Sequence, residues 1–166
     1  MKKIVIIDTG SSNILSLKRA VEKFHPNVDV TTNSDMILSA NKIFFPGVGA
    51  FKNVMKNLEK IKLVETLIKT KEKGIPLFGI CLGLQLFFNQ SEEFGTTRGL
   101  GLIDGDVKIL PKNSKNKEIL KIPNIGWFKL NLNKKFNNKK FSKFIGSIDE
   151  KDFYYFVHSY FVNPIE

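Results

Sequence analysis

The chain has 166 residues, 42% of them hydrophobic, which is enough to bury one real core and too little for two full domains, so one domain over residues 1–166 is expected. No apolar run approaches the roughly 20 residues of a spanning helix, and Met1-Lys2-Lys3 leads straight into a strand-like segment instead of a signal peptide, so a cytoplasmic protein that does not engage a membrane is expected. A formal charge of +10 suggests nucleic acid, but only Arg19 and Arg98 among 26 basic residues are arginine, and the densest stretch, Lys112 to Lys143, reads as a solvated surface without a nucleic-acid motif.

The continuous apolar run Lys3-Ile-Val-Ile-Ile-Asp8 has the pattern of a strand buried on both faces of a parallel sheet. Asp8, at its end, is expected to accept N–H bonds from the following loop. Gly10-Ser-Ser-Asn13 supplies turn and capping residues, and Ile14, Leu17, Val21 and Phe24 repeat at helical spacing up to His25-Pro26. Val28 to Thr31 reads as a second strand, and Lys42 to Phe45 as a third that runs into Pro46-Gly-Val-Gly49. Ile61, Val64, Leu67 and Ile68 mark an amphipathic helix that Gly74 ends. Leu77 to Ile80 is another short buried strand, and a largely apolar helix is expected from Leu82 to Phe88. Beyond Gly99 the pattern changes to β-like pieces at Leu100 to Leu110, Trp127 to Leu132 and Phe153 to Val157.

Strands alternating with helices imply an α/β fold of three layers, a mostly parallel sheet covered by helices on both faces, with ligands at the carboxyl ends of the strands. Asp8, Pro46 to Gly49 and Cys81 all fall on that edge. Two separated histidines and one cysteine offer no ligand cluster, so neither a metal nor another cofactor is expected.

Gly79-Ile-Cys-Leu-Gly83 has the form G-x-C-x-G between a strand and a helix, the cysteine counterpart of a serine nucleophile elbow. Glycines are needed where the sharp turn presses its neighbours against adjacent backbone. A thiol at a helix amino terminus faces unpaired N–H groups that favour an anion. Pro46-Gly-Val-Gly49 closes a separate strand, and a glycine-flanked peptide there can turn an N–H toward a developing oxyanion, with Leu82 as the second donor. Each motif alone also fits a buried cysteine or a tight turn.

Together with Asp8-Thr-Gly10, Asn13-Ile14, Gly79 to Leu86, Ser91-Glu-Glu93, Gly99-Leu-Gly101, Ile122-Pro-Asn-Ile-Gly-Trp127 and Phe156-Val-His-Ser-Tyr160, these segments resemble the glutaminase subunits of imidazole glycerol phosphate synthase, class I glutamine amidotransferases with a flavodoxin-like sheet. The resemblance covers the whole chain. It implies hydrolysis of glutamine to glutamate and ammonia, with the ammonia passed to a (β/α)₈-barrel cyclase that makes imidazole glycerol phosphate in histidine biosynthesis. It makes Cys81 the nucleophile, with Leu82 and the Val48-Gly49 peptide as oxyanion donors. Gly49, Gln85, Glu93, Ser159 and Tyr160 match glutamine-holding positions, and Asn13, Pro123, Asn124 and Trp127 match the face that meets the cyclase. His158 matches pocket lining, and His25 reads as a surface cap.

Two departures from the family pattern are visible. Asn124 stands where the family's segment reads Ile-Pro-His-x-Gly-Trp, which leaves room for a related subunit that supplies ammonia to a sugar-modifying synthase. The family's His-Pro-Glu motif, with the base and its orienting acid, lies beyond Val-His-Ser-Tyr and has no match before Glu166. The expectation is therefore a sheet incomplete at its carboxyl end, and a chain that is inactive or nearly so.

Overall fold

Every side chain of the first strand, β1 (Ile4–Ile7), is buried, as expected for a strand packed on both faces. It lies at the centre of the fold in a computed structural model that describes residues 2–10, 12–113, 119, 121–131 and 146–165. Leu132, Lys134, Lys135, Lys139 and Lys140, and with them most of the lysine-rich stretch, lie outside the described residues. The chain forms two compact units, one of Met1–Ile109 with Tyr160–Glu166 and one of Leu110–Ser159.

In the first unit β1 pairs in parallel with β2 (Val28–Thr31) and with β3 (Lys42–Gly47), and β3 pairs with β4 (Leu77–Cys81). The order β2-β1-β3-β4 is that of a flavodoxin-like sheet, in which the strand sequence reverses beside β1. Alternation along β1 divides the apolar residues between the two faces. Ile4 and Ile6 pack with Val28 under Ile14, Leu17 and Val21 of helix α1 (Ile14–Glu22). Val5 and Ile7 enter the larger core with Ile43, Phe45, Phe51, Leu58 and Leu67.

That larger core is built by α2 (Ser34–Leu38), α3 (Phe51–Lys60) and α4 (Val64–Glu72). The single amphipathic helix expected around Ile61 to Ile68 is therefore α4 alone, preceded by a separate helix. Phe51, Val54, Met55 and Leu58 are the buried stripe of α3, at the i, i+3, i+4, i+7 spacing of one helix face. Lys62 then takes a left-handed φ of 57° and breaks the run. Helix α2 escapes the apolar pattern because it is short. Its signal is Asn33, whose side chain accepts from the Met36 amide at 3.0 Å.

After β4, helix α5 (Leu82–Gln85) spans a single turn, shorter than the helix expected to reach Phe88. The carbonyls of Leu86, Phe87 and Phe88 accept instead from the amides of Leu100, Leu102 and Gly101, so the segment is paired with the Gly99–Leu102 stretch. The side chains of Leu86, Phe87 and Phe88 are all buried, and an element apolar on every side carries no periodicity to define its end.

A second sheet of the first unit, β10-β7-β5-β6, comprises β5 (Gln90–Ser91), β6 (Thr97–Arg98), β7 (Gly105–Ile109) and β10 (Tyr160–Pro164). The second unit holds the antiparallel pair β8 (Asn124–Lys129) and β9 (Phe153–His158). The strand expected from Trp127 thus begins three residues earlier. Among the described residues no helix is long and apolar enough to cross a membrane.

Phe45 has no exposed surface and stacks on Phe87 with ring centroids 5.9 Å apart. Phe45→Ala should cost about 3–5 kcal/mol of stability, read from the urea midpoint at unchanged slope. An unshifted midpoint would mean that this ring does not hold the larger core.

Candidate active site

Cys81 is the last residue of β4 and caps α5, and it is held at φ 54°, ψ −118° with its side chain exposed. A non-glycine residue in the left-handed region is strained, and at a strand-to-helix joint this strain projects the side chain out of the sheet edge. Its neighbours explain how the backbone closes. A Cβ on Gly83 would lie 1.8 Å from the Phe45 carbonyl oxygen, and one on Gly79 would lie 2.5 Å from the Leu84 Cα. Both glycines are required by contact with backbone, as the elbow pattern implies.

The second motif lies beside this joint. Gly47 is the register partner of Cys81, and a Cβ on it would come within 2.8 Å of the Gly83 amide nitrogen. Pro46 and Gly47 therefore belong to β3, and only Val48, Gly49 and Ala50 form the loop before α3. Val48 is 53% exposed, and Gly49 adopts φ 100° with open space around its missing Cβ. Gly49 serves the turn's conformation, whereas Gly47 serves close packing. Leu82, the first residue of α5, has its N–H among the donors that a helix start leaves without an intrahelical partner.

The other expected residues separate into the two units. In the first, the Gln85 Nε2 donates to the Tyr160 carbonyl at 3.2 Å, which ties α5 to β10. Glu93, in the turn after β5, accepts the Phe51 amide on Oε2 at 2.7 Å. Asp8 accepts from the Gly10 amide at 2.8 Å, the loop-holding role expected of it, and Asn13 caps α1 through the Ser16 amide. In the second unit the Ser159 carbonyl accepts from the Leu110 amide. Pro123 follows a cis peptide bond. The Asn124 Nδ2 lies 3.2 Å from the Nε2 of its cross-strand partner His158. Trp127 is 66% exposed and meets Tyr155 edge to face.

Sequence reasoning missed two connections. The amide of Phe51 is held by Glu93, and the Asn57 Nδ2 donates to the Thr9 carbonyl at 2.8 Å, so that α3 braces the loop after β1. The only local hint of the first is that Ala50, at the cap position of α3, has no side-chain acceptor.

A cysteine elbow set beside a glycine-flanked loop, on the carboxyl edge of a parallel sheet, is the equipment of an acyl-transferring cysteine enzyme. A family model described as "Glutamine amidotransferase class-I" matches residues 5–166, and the chain belongs to that family. Within it, the chain is 43% identical to "Imidazole glycerol phosphate synthase subunit HisH" of Aquifex aeolicus, over 98% of this chain and 73% of that protein. It is 41% identical to the subunit of the same name from Moorella thermoacetica, over 100% of this chain and 73% of the relative. A solved structure described as "Crystal structure of glutamine amidotransferase" superposes with a TM-score of 0.54 at 17% identity, over 63% of this chain and 56% of that one, which supports the fold.

Gly83→Ala should disturb the elbow directly, because its Cβ meets a backbone oxygen that cannot rotate away. The expected result is a loss of roughly 3 kcal/mol or more and a changed rate of Cys81 alkylation by iodoacetamide. A variant with parental melting temperature and alkylation rate would show that this contact does not set the joint.

Proposed function

We propose that this chain is the glutaminase subunit of an imidazole glycerol phosphate synthase, that it works in the cytoplasm, and that Cys81 is its nucleophile. The observation that carries the reading is the strained Cys81 joint in strand register with Gly47, within a chain related over its whole length to HisH subunits.

The chemistry follows from that arrangement. The Cys81 sulfur adds to the amide carbon of glutamine, and the carbonyl oxygen takes up the negative charge. N–H groups of Leu82 and of the Val48-Gly49 peptide receive it, an environment that lowers the barrier because the donors are aimed before charge develops. The carbon–nitrogen bond then breaks, and ammonia leaves with the proton given up by the thiol, carried over by an acid–base group. Water releases glutamate from the thioester. Gly49, Gln85, Glu93, Ser159 and Tyr160 hold the substrate in this reading. His25 follows α1 on the amino-terminal edge of the sheet, opposite Cys81, and is not placed to serve as the base.

The partner in this proposal is a (β/α)₈-barrel cyclase that receives the ammonia, met by Asn13, Pro123, Asn124 and Trp127. An exposed tryptophan on a strand pair supports the interface role, since aromatic anchors of this kind dominate binding energies.

Any glutamate release above background, measured with the cyclase and its nucleotide ligand present, should be abolished in Cys81→Ala. Undiminished release in that variant would sink the proposal. Trp127→Ala should weaken cyclase binding by about 2 kcal/mol, roughly 30-fold by titration calorimetry. An affinity within twofold of the parent would remove Trp127 from the interface.

A further inference from the structure

We infer that Glu93 is a positioning residue for the oxyanion loop, holding residues 48–50 from their downstream end through the amide of Phe51. The inference rests on the acyl-transfer reading of Cys81 and gives Glu93 a second task beyond contact with glutamine.

The loop is three residues long, so the position of its donors is set where it is attached. Its upstream end is fixed by Gly47, which is paired with Cys81 and pressed against the Gly83 amide. Its downstream end is Phe51, whose ring is fully buried in the larger core. The loop's own packing contributes little, because Val48 is exposed and the space beside Gly49 is open. The Ala50–Phe51 peptide is held at its carbonyl by the amides of Asn53 and Val54, and at its N–H by Glu93 Oε2 at 2.7 Å, which ties this last peptide of the loop to an element outside α3. Ala50 offers no side-chain acceptor, so the cap of α3 comes from a residue 42 positions beyond Phe51.

Glu93 is itself anchored. Its amide donates to Ser91 Oγ at 3.2 Å, and Ser91 is buried in β5. Glu92 grips β7 twice, donating its amide to the Val107 carbonyl at 3.2 Å and accepting the Ile109 amide on Oε1 at 2.6 Å. The Ser91-Glu92-Glu93 turn thus transfers the rigidity of the second sheet to the loop. An ionised acceptor on a helix-start amide is also among the stronger and more directional of hydrogen bonds.

The test uses the γ-(4-nitrophenyl) ester of glutamate. The thiol of Cys81 loses its proton to solvent, its sulfur bonds to the ester carbonyl carbon, and the carbon–oxygen bond breaks to release nitrophenolate with the electron pair. This leaving group departs without a proton donor, so nitrophenolate release reports acylation, as a burst where hydrolysis of the thioester is the slower step. Glu93→Ala should lower the maximal burst rate roughly 30-fold or more, because donors held loosely stabilise the oxyanion poorly. Glu93→Gln, which keeps an acceptor oxygen without the charge, should recover most of that rate. In parallel, hydrogen exchange at the Phe51 amide should accelerate at least tenfold in Glu93→Ala and much less in Glu93→Gln.

If both variants raise only the half-saturating ester concentration and leave the maximal rate and the Phe51 exchange unchanged, Glu93 is a substrate contact only and the inference falls. A parent chain that releases no nitrophenolate above background, or a release that survives Cys81→Ala, defeats the acyl-transfer reading instead. The exchange arm then decides alone whether Glu93 holds the loop.

Discussion

The joint at Cys81 is the constraint from which the rest of the site follows. To turn from β4 into α5 within one residue, the chain must hold a side chain at positive φ and bring the backbone of residue 83 against that of 45, and 79 against 84. The strain at Cys81 is of the order of 1–3 kcal/mol, and it persists because surrounding packing overdetermines the turn. Phe45 contributes to that packing twice, through a ring that fills the larger core and a carbonyl that excludes any side chain at residue 83. Core and cysteine elbow are therefore not separable parts. A change that loosens β3 also releases the residue beside it in β4.

Parallel register carries this constraint across the sheet. Because β3 and β4 run in the same direction with Gly47 opposite Cys81, both strands end at one level, and the turn after each opens on the same edge. The loop after β1 opens there too, and Asn57 of α3 holds its Thr9 carbonyl. Helix α3 thus starts at the loop of residues 48–50 and braces the neighbouring loop from its middle. The second sheet adds support through Glu93 to the start of α3 and through Gln85 to Tyr160 of β10.

Much of this was legible in residue order. Strand β1 is visible because burial on both faces requires an unbroken apolar run, and the elbow because the glycines of G-x-C-x-G sit where a Cβ would strike backbone. Helix α3 was harder to find. Its buried stripe begins immediately after the glycine loop and alternates with Lys52, Asn53, Lys56 and Asn57, so the turn signal overshadows the helical period. The early end of α5 could not be read locally, because it depends on amides of Leu100, Gly101 and Leu102 that claim its would-be helical carbonyls. The bond from Glu93 to Phe51 is likewise invisible in one dimension. Apolar period and steric need are local properties, whereas hydrogen-bond partners are decided by tertiary approach.

Polar residues expected to hold a substrate turn out to be partly engaged by backbone. Gln85 donates to a strand carbonyl and Glu93 accepts from a helix-start amide, so each side chain is oriented before any ligand arrives. Such engagement has a physical advantage. A long flexible side chain that must order on binding costs roughly 0.5–1.5 kcal/mol of entropy, and one fixed by the fold has already lost it. It also couples functions that would otherwise be independent, since altering the contact to substrate alters the framework as well. Steady-state parameters for substitutions at these positions therefore mix ground-state binding with transition-state geometry, and separating them requires variants that keep the acceptor or donor atom while changing its charge.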